Sequence, residues 1–263
     1  MHDNKIFQNE IGNKIKDINE IPSPYLMGMM DKFFDDTLIP VIQTNRGCPY
    51  KCAFCWEGGD YFNKIKRFDK ERLFAEMDYI ADRAKVNDLQ ITDANFGIFK
   101  EDLLTAKKVT ELQKSHNYPQ TILSATAKNH KERTIEIVEM LGDTLPATAA
   151  VQSTDEIVLK NINRANVPLD TLMTMGKAIE KRGGQSEAEL ILCLEGDTAE
   201  KHRQTVYDML DADMKFVRMY QFMMLMGTHS ASAANRKVFD LKTKYRVLPR
   251  CFGLYNIIDE DVP

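Results

Sequence analysis

The sequence predicts an α/β fold: a partial (β/α)6 barrel with a parallel six-stranded sheet. Short apolar runs alternate with stretches whose apolar residues recur at helical spacing, the signature of βαβ units. Six such units fall short of the eight that close a barrel, so the sheet stays open. Polar or glycine-containing segments follow the strand candidates, and parallel α/β folds place their sites at those strand ends.

The first strand candidate, Leu38–Thr44, leads straight into a cysteine-rich loop. Behind Asp69, a candidate N-cap, Leu73, Met77, Ile80, Ala81 and Ala84 form a helical stripe. Asp88–Thr92 is the second strand, and Leu103, Leu104, Val109 and Leu112 mark the next helix. Thr121–Thr126 follows as a strand, with Ile135, Val138 and Leu141 on a helix ending near Gly142. Ala147–Gln152 is alanine-rich and a weak β former, and its place in the alternation makes it the fourth strand. Leu169, Leu172, Met173 and Ile179 lie on a helix with Pro168 at its start and Gly183 past its end. Ala188–Cys193 is the fifth strand, Asp197 and Glu200 have capping-box spacing, and Lys215–Tyr220 is the sixth strand. The expected organisation is a linker-like segment at 1–37, a core at 38–230 and a C-terminal extension at 231–263, both ends reading as though more chain belongs there.

The chain has 263 residues, 43% hydrophobic and 28% charged, as in soluble globular proteins. A net charge of −4 gives no sign of a nucleic-acid-binding surface, and no apolar run has membrane-spanning length. Met1–Lys5 is not backed by the apolar core of a signal peptide, so a cytoplasmic location is expected.

Cys48, Cys52 and Cys55 stand in the spacing C-x3-C-x2-C within Thr44–Cys55. Three thiolates on one loop suit three irons of a 4Fe–4S cubane and leave the fourth iron open to a substrate or cofactor, because full protein ligation takes four cysteines. Half a zinc site is the alternative, but zinc wants a second pair of cysteines or histidines. Cys193 and Cys251 are distant, and His2, His116, His130, His202 and His229 form no cluster in sequence. Five cysteines, an odd number at low density, argue against a disulfide framework.

This loop, with the aromatic Phe54 before its third cysteine, resembles that of the radical S-adenosylmethionine (radical SAM) superfamily, and the likeness covers about residues 38–226. The resemblance implies that the open iron chelates the amino and carboxylate groups of S-adenosylmethionine. It also implies reductive cleavage to a 5′-deoxyadenosyl radical, for hydrogen abstraction or methyl transfer, and a small electron donor such as flavodoxin or ferredoxin. Cofactor-facing positions carried over are Phe54, Asp93, Asn95, Gln152, Arg164 and Glu189. Asp93 and Asn95 suit an ammonium group, the preferred reading, with an Asx-turn as the alternative. Arg164 suits a carboxylate, or a surface ion pair. Glu189 is a carboxylate inside an apolar strand and needs a partner such as a ribose hydroxyl. Ser124, Thr126, Lys128 and Asn129 serve either the cofactor or a helix cap. Leu194–Thr198 departs from the family's turn, with Glu195 where proline is common and Asp197 where glutamate is common. Met219, Met223, Met224 and Met226 line a substrate pocket or, in the preferred reading, fill the core. Ile21–Leu26 and Asp93–Gly97 are similar to the subgroup that carries a cobalamin domain, which makes cobalamin from another domain or chain an expected cofactor. An iron–sulfur electron carrier and a non-catalytic zinc scaffold remain the alternatives.

Overall fold

Apolar alternation and glycine-marked turns place the strands, and the helices lie where apolar residues recur every three or four positions. The computed structural model describes residues 15–127, 131–166, 168–180 and 186–244. The chain divides into two compact units: Met1–Gly47 with Lys64–Ala147 and Ile179–Gln185, and Cys48–Asn63 with Thr148–Ala178 and Ser186–Pro263.

The first unit contains β1 (Val41–Ile42), β2 (Asn45–Arg46), β3 (Lys66–Arg67), α1 (Lys70–Ala81), β4 (Asp88–Phe96), α2 (Asp102–His116), β5 (Thr121–Thr126) and α3 (Lys131–Leu141). Its main sheet has the order β1-β4-β5 and is parallel, with Val41 opposite Gln90 and Asp88 opposite Thr121. β2 and β3 form an antiparallel ribbon on either side of the cysteine segment in the chain. The core joins Ile42, Leu89, Ile91 and Ile122 of the sheet to Met77 and Ile80 of α1, Val109 and Leu112 of α2, and Ile137 of α3. Burying each such side chain contributes about 1.5–3 kcal/mol. Along β4 the alternation that buries Leu89 and Ile91 continues into Asp93 and Asn95, so the strand carries polar groups inward at its C-terminal end. Asn117, at φ 55°, ends α2 in a left-handed cap.

The second unit contains β6 (Ala147–Gln152, whose first residue belongs to the other unit), α4 (Glu156–Asn161), α5 (Leu169–Glu180), β7 (Ser186–Leu192), α6 (Ala199–Asp211), β8 (Phe216–Gln221) and α7 (Ala233–Val238). Its sheet order is β6-β7-β8, and β7 and β8 run parallel with Glu187 opposite Phe216. Val151, Ala188 and Leu190 pack on Leu172 of α5 and Met209 of α6. A smaller cluster of Ala53, Val158, Ile162 and Leu194 lies under the cysteine loop.

All six expected strands are present in order, yet they sit in two three-stranded sheets rather than one six-stranded sheet. β1 is only Val41–Ile42, and on its side away from β4 Tyr25 Oη donates to the Val41 carbonyl and accepts from the Val41 amide. β4 runs on through Asp93–Phe96, which the sequence places after the strand. The cap of α6 is Thr198, whose hydroxyl accepts from the Lys201 amide, rather than Asp197. Leu104 is exposed on α2 while Ala106 takes the core position. The methionines are not core filler: Met219, Met223 and Met226 are exposed, and the sulfur of Met224 accepts from Arg236. Lys128, Asn129, His130, Gly183 and Cys251 lie outside the described residues.

Candidate cofactor site

In the second unit the cysteine loop is held by backbone bonds at almost every turn. The Cys48 amide donates to the Phe62 carbonyl (2.9 Å), Cys55 to Cys52 (3.1 Å) and Gly58 to Cys55 (3.0 Å). Ala53 is gripped from both sides, donating to the Ile162 carbonyl (2.8 Å) and accepting from the Ser230 amide (3.0 Å). Asn163 donates to the Lys51 carbonyl at 2.9 Å. Gly58 passes so close to the loop that a Cβ there would lie 2.2 Å from the Cys52 carbonyl oxygen, so only glycine fits. Cys48 and Cys52 are buried, Cys55 is half-buried, and none of the three is in a disulfide. Phe54 packs against the apolar cluster beneath the loop.

Arg164 reaches the same loop. Its Nη1 lies 3.8 Å from Cys52 Sγ, its Nε donates to Asn166 (2.8 Å), and its Nη2 donates to the Ala150 carbonyl. Burial pulls its pKa down, and the facing Cys52 and Cys55 oppose that shift. Gln152, at the end of β6, is buried in the left-handed region (φ 67°), and its Oε1 has no hydrogen-bond partner. Non-glycine residues at positive φ cluster at functional sites. Glu189 lies on the face of β7 opposite Ala188 and Leu190, away from α5 and α6. Beyond β7, Glu195 is fully buried; it accepts from Ser230 Oγ and Asn235 Nδ2, while its carbonyl accepts from Asn161.

Asp93 and Asn95 belong to the first unit, and both are buried. The Asp93 carboxylate accepts from Thr44 N (2.7 Å), Thr44 Oγ1, Asn45 N (3.3 Å) and Asn45 Nδ2 (2.6 Å). It ties β4 to the residues that open the cysteine segment. Burial raises its pKa to about 6 despite those bonds. Gly97 takes φ 98° and donates to Asp102 (2.9 Å), which also accepts from Phe99 (2.9 Å) and faces Arg67 at 3.5 Å. The Gly97 and Ile98 carbonyls accept from Arg133.

No family model matches the chain. It is 34% identical over 213 residues to the 2-(S-pantetheinyl)-carbapenam-3-carboxylate methyltransferase of Streptantibioticus cattleyicolor, covering 77% of this chain and 31% of that protein. It is 33% identical over 229 residues to the cobalamin-dependent radical SAM methyltransferase TokK of Streptomyces tokunonensis, covering 80% of this chain and 33% of TokK. The chain belongs to the radical SAM superfamily. It spans about a third of the length of these two relatives (31% and 33%). Among solved structures, the radical SAM methyltransferase TsrM from Kitasatospora setae superposes with a TM-score of 0.60 at 14% identity, over 72% of this chain and 36% of that one. The radical SAM enzyme HemN of Escherichia coli gives 0.56 at 14% identity, over 83% and 51%. These likenesses show an α/β fold like that of radical SAM partial barrels.

The residues present fit the radical SAM cluster. Two of the three thiols are buried in a loop clamped by protein amides, a cation faces one sulfur, and a glycine leaves room for a tight wrap. Among the described residues no three His, Cys, Asp or Glu side chains converge as they do around a single metal ion. A cubane presents its irons at separate corners, so its ligands need no such convergence. The sequence reading gave no role to Asn163, Ser230, Gly58 or Asp102, and took Glu195 only as a departure from the family's turn. The departure at Glu195 was a usable signal: a buried carboxylate in place of proline must find partners. Ser230 carried none, since its amide meets Ala53 only through the fold.

Proposed function

We propose that the chain is the catalytic core of a radical SAM methyltransferase that works with cobalamin from another domain or chain. What supports this reading is the three-cysteine loop with its clamped backbone, together with relatives that are methyltransferases by name. Cys48, Cys52 and Cys55 hold a 4Fe–4S cluster. When bound, the cluster would supply one electron to S-adenosylmethionine, which would supply a hydrogen-abstracting carbon radical or a methyl group. The protein's part is to bind, orient and keep water out. Asn95, Gln152 and Glu189 offer polar atoms to the cofactor at strand ends. Asp93 sets the start of the loop while remaining an acceptor for an ammonium group. Phe54 supplies an apolar wall, and Arg164 a cation suited to a carboxylate.

In this reading the chain has a partial (β/α)6 barrel fold, and residues 38–230 form its core. A reduced flavodoxin or ferredoxin in the cytoplasm supplies electrons. A carbapenam is the first substrate to try, given one relative's name. The test is anaerobic reconstitution, then product analysis for 5′-deoxyadenosine and S-adenosylhomocysteine with and without added cobalamin. Cluster-dependent formation of both, the latter only with cobalamin, is the expected result. A reducible cluster with no binding of S-adenosylmethionine would make the chain an electron carrier, and stoichiometric zinc without iron uptake would make it a scaffold.

A further inference from the structure

We propose that Arg164 acts on the cluster itself, before any S-adenosylmethionine arrives, as a fixed positive charge that makes the cluster easier to reduce. This rests on the cluster reading above. Arg164 is only 9% exposed, and each of its guanidinium nitrogens has a partner: Cys52 Sγ, the Ala150 carbonyl and Asn166. Asn166 is itself locked, donating to the carbonyls of Val151 (2.7 Å) and Ser153 (2.6 Å). The fork is therefore aimed by the end of β6 and has little freedom to swing.

The ionisable groups that face this buried cation are Cys52, Cys55 and Tyr50. Burying a guanidinium is costly unless negative charge compensates it. A carboxylate would make it an ordinary ion pair. Thiolates instead couple it to whatever those thiolates ligate. Hydrogen bonds to cluster sulfurs and local net charge are the protein's levers on potential. An added electron makes the cluster more negative, so Arg164 stabilises the reduced form more than the oxidised form. The same turn also sets the loop mechanically, through Asn163 on Lys51 and Ile162 on Ala53. The charge and the backbone grip thus come from one segment, residues 161–166.

The experiment is a potentiometric titration followed by electron paramagnetic resonance, on the reconstituted full chain without S-adenosylmethionine. Wild type is compared with Arg164→Gln and Arg164→Lys, with iron content, circular dichroism and cofactor affinity measured in parallel. Arg164→Gln should keep its iron, show a lower midpoint potential and give an altered signal. Arg164→Lys, which keeps the charge but not the fork, should fall between. Unchanged potential and signal, with only cofactor affinity weakened, would overturn the proposal and leave Arg164 as a carboxylate binder. Loss of iron in both variants with secondary structure intact would also overturn it, assigning the residue to loop integrity alone. Wild type that takes up no 4Fe–4S cluster refutes the cofactor reading instead, and does so without reference to the variants.

Discussion

Two kinds of side chain carry the site at the residue scale. Cys48, Cys52 and Cys55 are the ligands we propose; replacing any one with alanine should take iron from about four per chain to near zero, because a cubane lacking a second ligand is not retained. Cys193→Ala should leave the iron unchanged. Iron retained in all three single variants would sink the assignment. Asp93 is the other kind, a carboxylate whose surroundings favour its neutral form. Its ordinary value is 3.8 and burial lifts it to about 6. The folded state therefore holds this proton more tightly than the unfolded state. The stability this gives is complete below the ordinary value and is lost as pH rises through 6, a change of about 3 kcal/mol. Wild type should lose roughly that much more stability than Asp93→Asn between pH 4 and pH 7, measured by urea unfolding. Parallel pH profiles would show that Asp93 does not titrate in this range.

Elements convert these residues into a site. The cysteine loop is neither helix nor strand for most of its length, and neighbouring segments lend it order. Gly58 is where the wrap is tightest. Gly58→Ala drives a methyl group into the Cys52 carbonyl, against backbone rather than a side chain that can move aside. Overpacking of this kind costs about 1–3 kcal/mol, and iron retention should fall with it. Gly59→Ala is the control, since a Cβ there meets only the Trp56 carbonyl at 3.5 Å. Equal iron in both variants would mean the loop adjusts freely. Asp102 plays the same part for the turn after β4. Asp102→Ala removes a charged acceptor from the Gly97 and Phe99 amides, and should destabilise the first unit by about 2–3 kcal/mol. Denaturant unfolding of that variant measures it; a change below half a kilocalorie would show that water replaces the carboxylate.

The molecule as a whole consists of two compact units, and all three cysteines belong to one of them. A ligand that binds only the folded form stabilises what it binds. Reconstitution should therefore raise amide protection most in residues 48–63 and 148–166, and less in α1 and α2. Hydrogen exchange with and without the cluster checks this, and a uniform rise would show that the units unfold together. Among the described residues no helix is long and apolar enough to cross a membrane. The exposed apolar side chains include Met219, Met223, Leu225 and Met226 around the end of β8, as well as Leu26, Met27 and Met29 upstream of β1.

What the amino-acid sequence determined by itself is the order of elements and the spacing of the three cysteines. Both are local properties: alternation follows from which side chains must be buried, and C-x3-C-x2-C is a spacing. Asp93 was legible as a polar residue after the second strand and Glu195 as a departure from the family's turn, but their partners were not. Thr44 stands 49 positions from Asp93 in the chain, Ser230 stands 35 from Glu195, and Arg164 stands 112 from Cys52. Pattern over a few residues carries no information on such pairs, because only the packing of whole strands and helices brings them together. Tertiary structure alone decided that Arg164 faces Cys52 Sγ and that Tyr25 Oη meets the Val41 backbone. In each case a buried polar group or an unpaired backbone group took the nearest partner that the fold supplied.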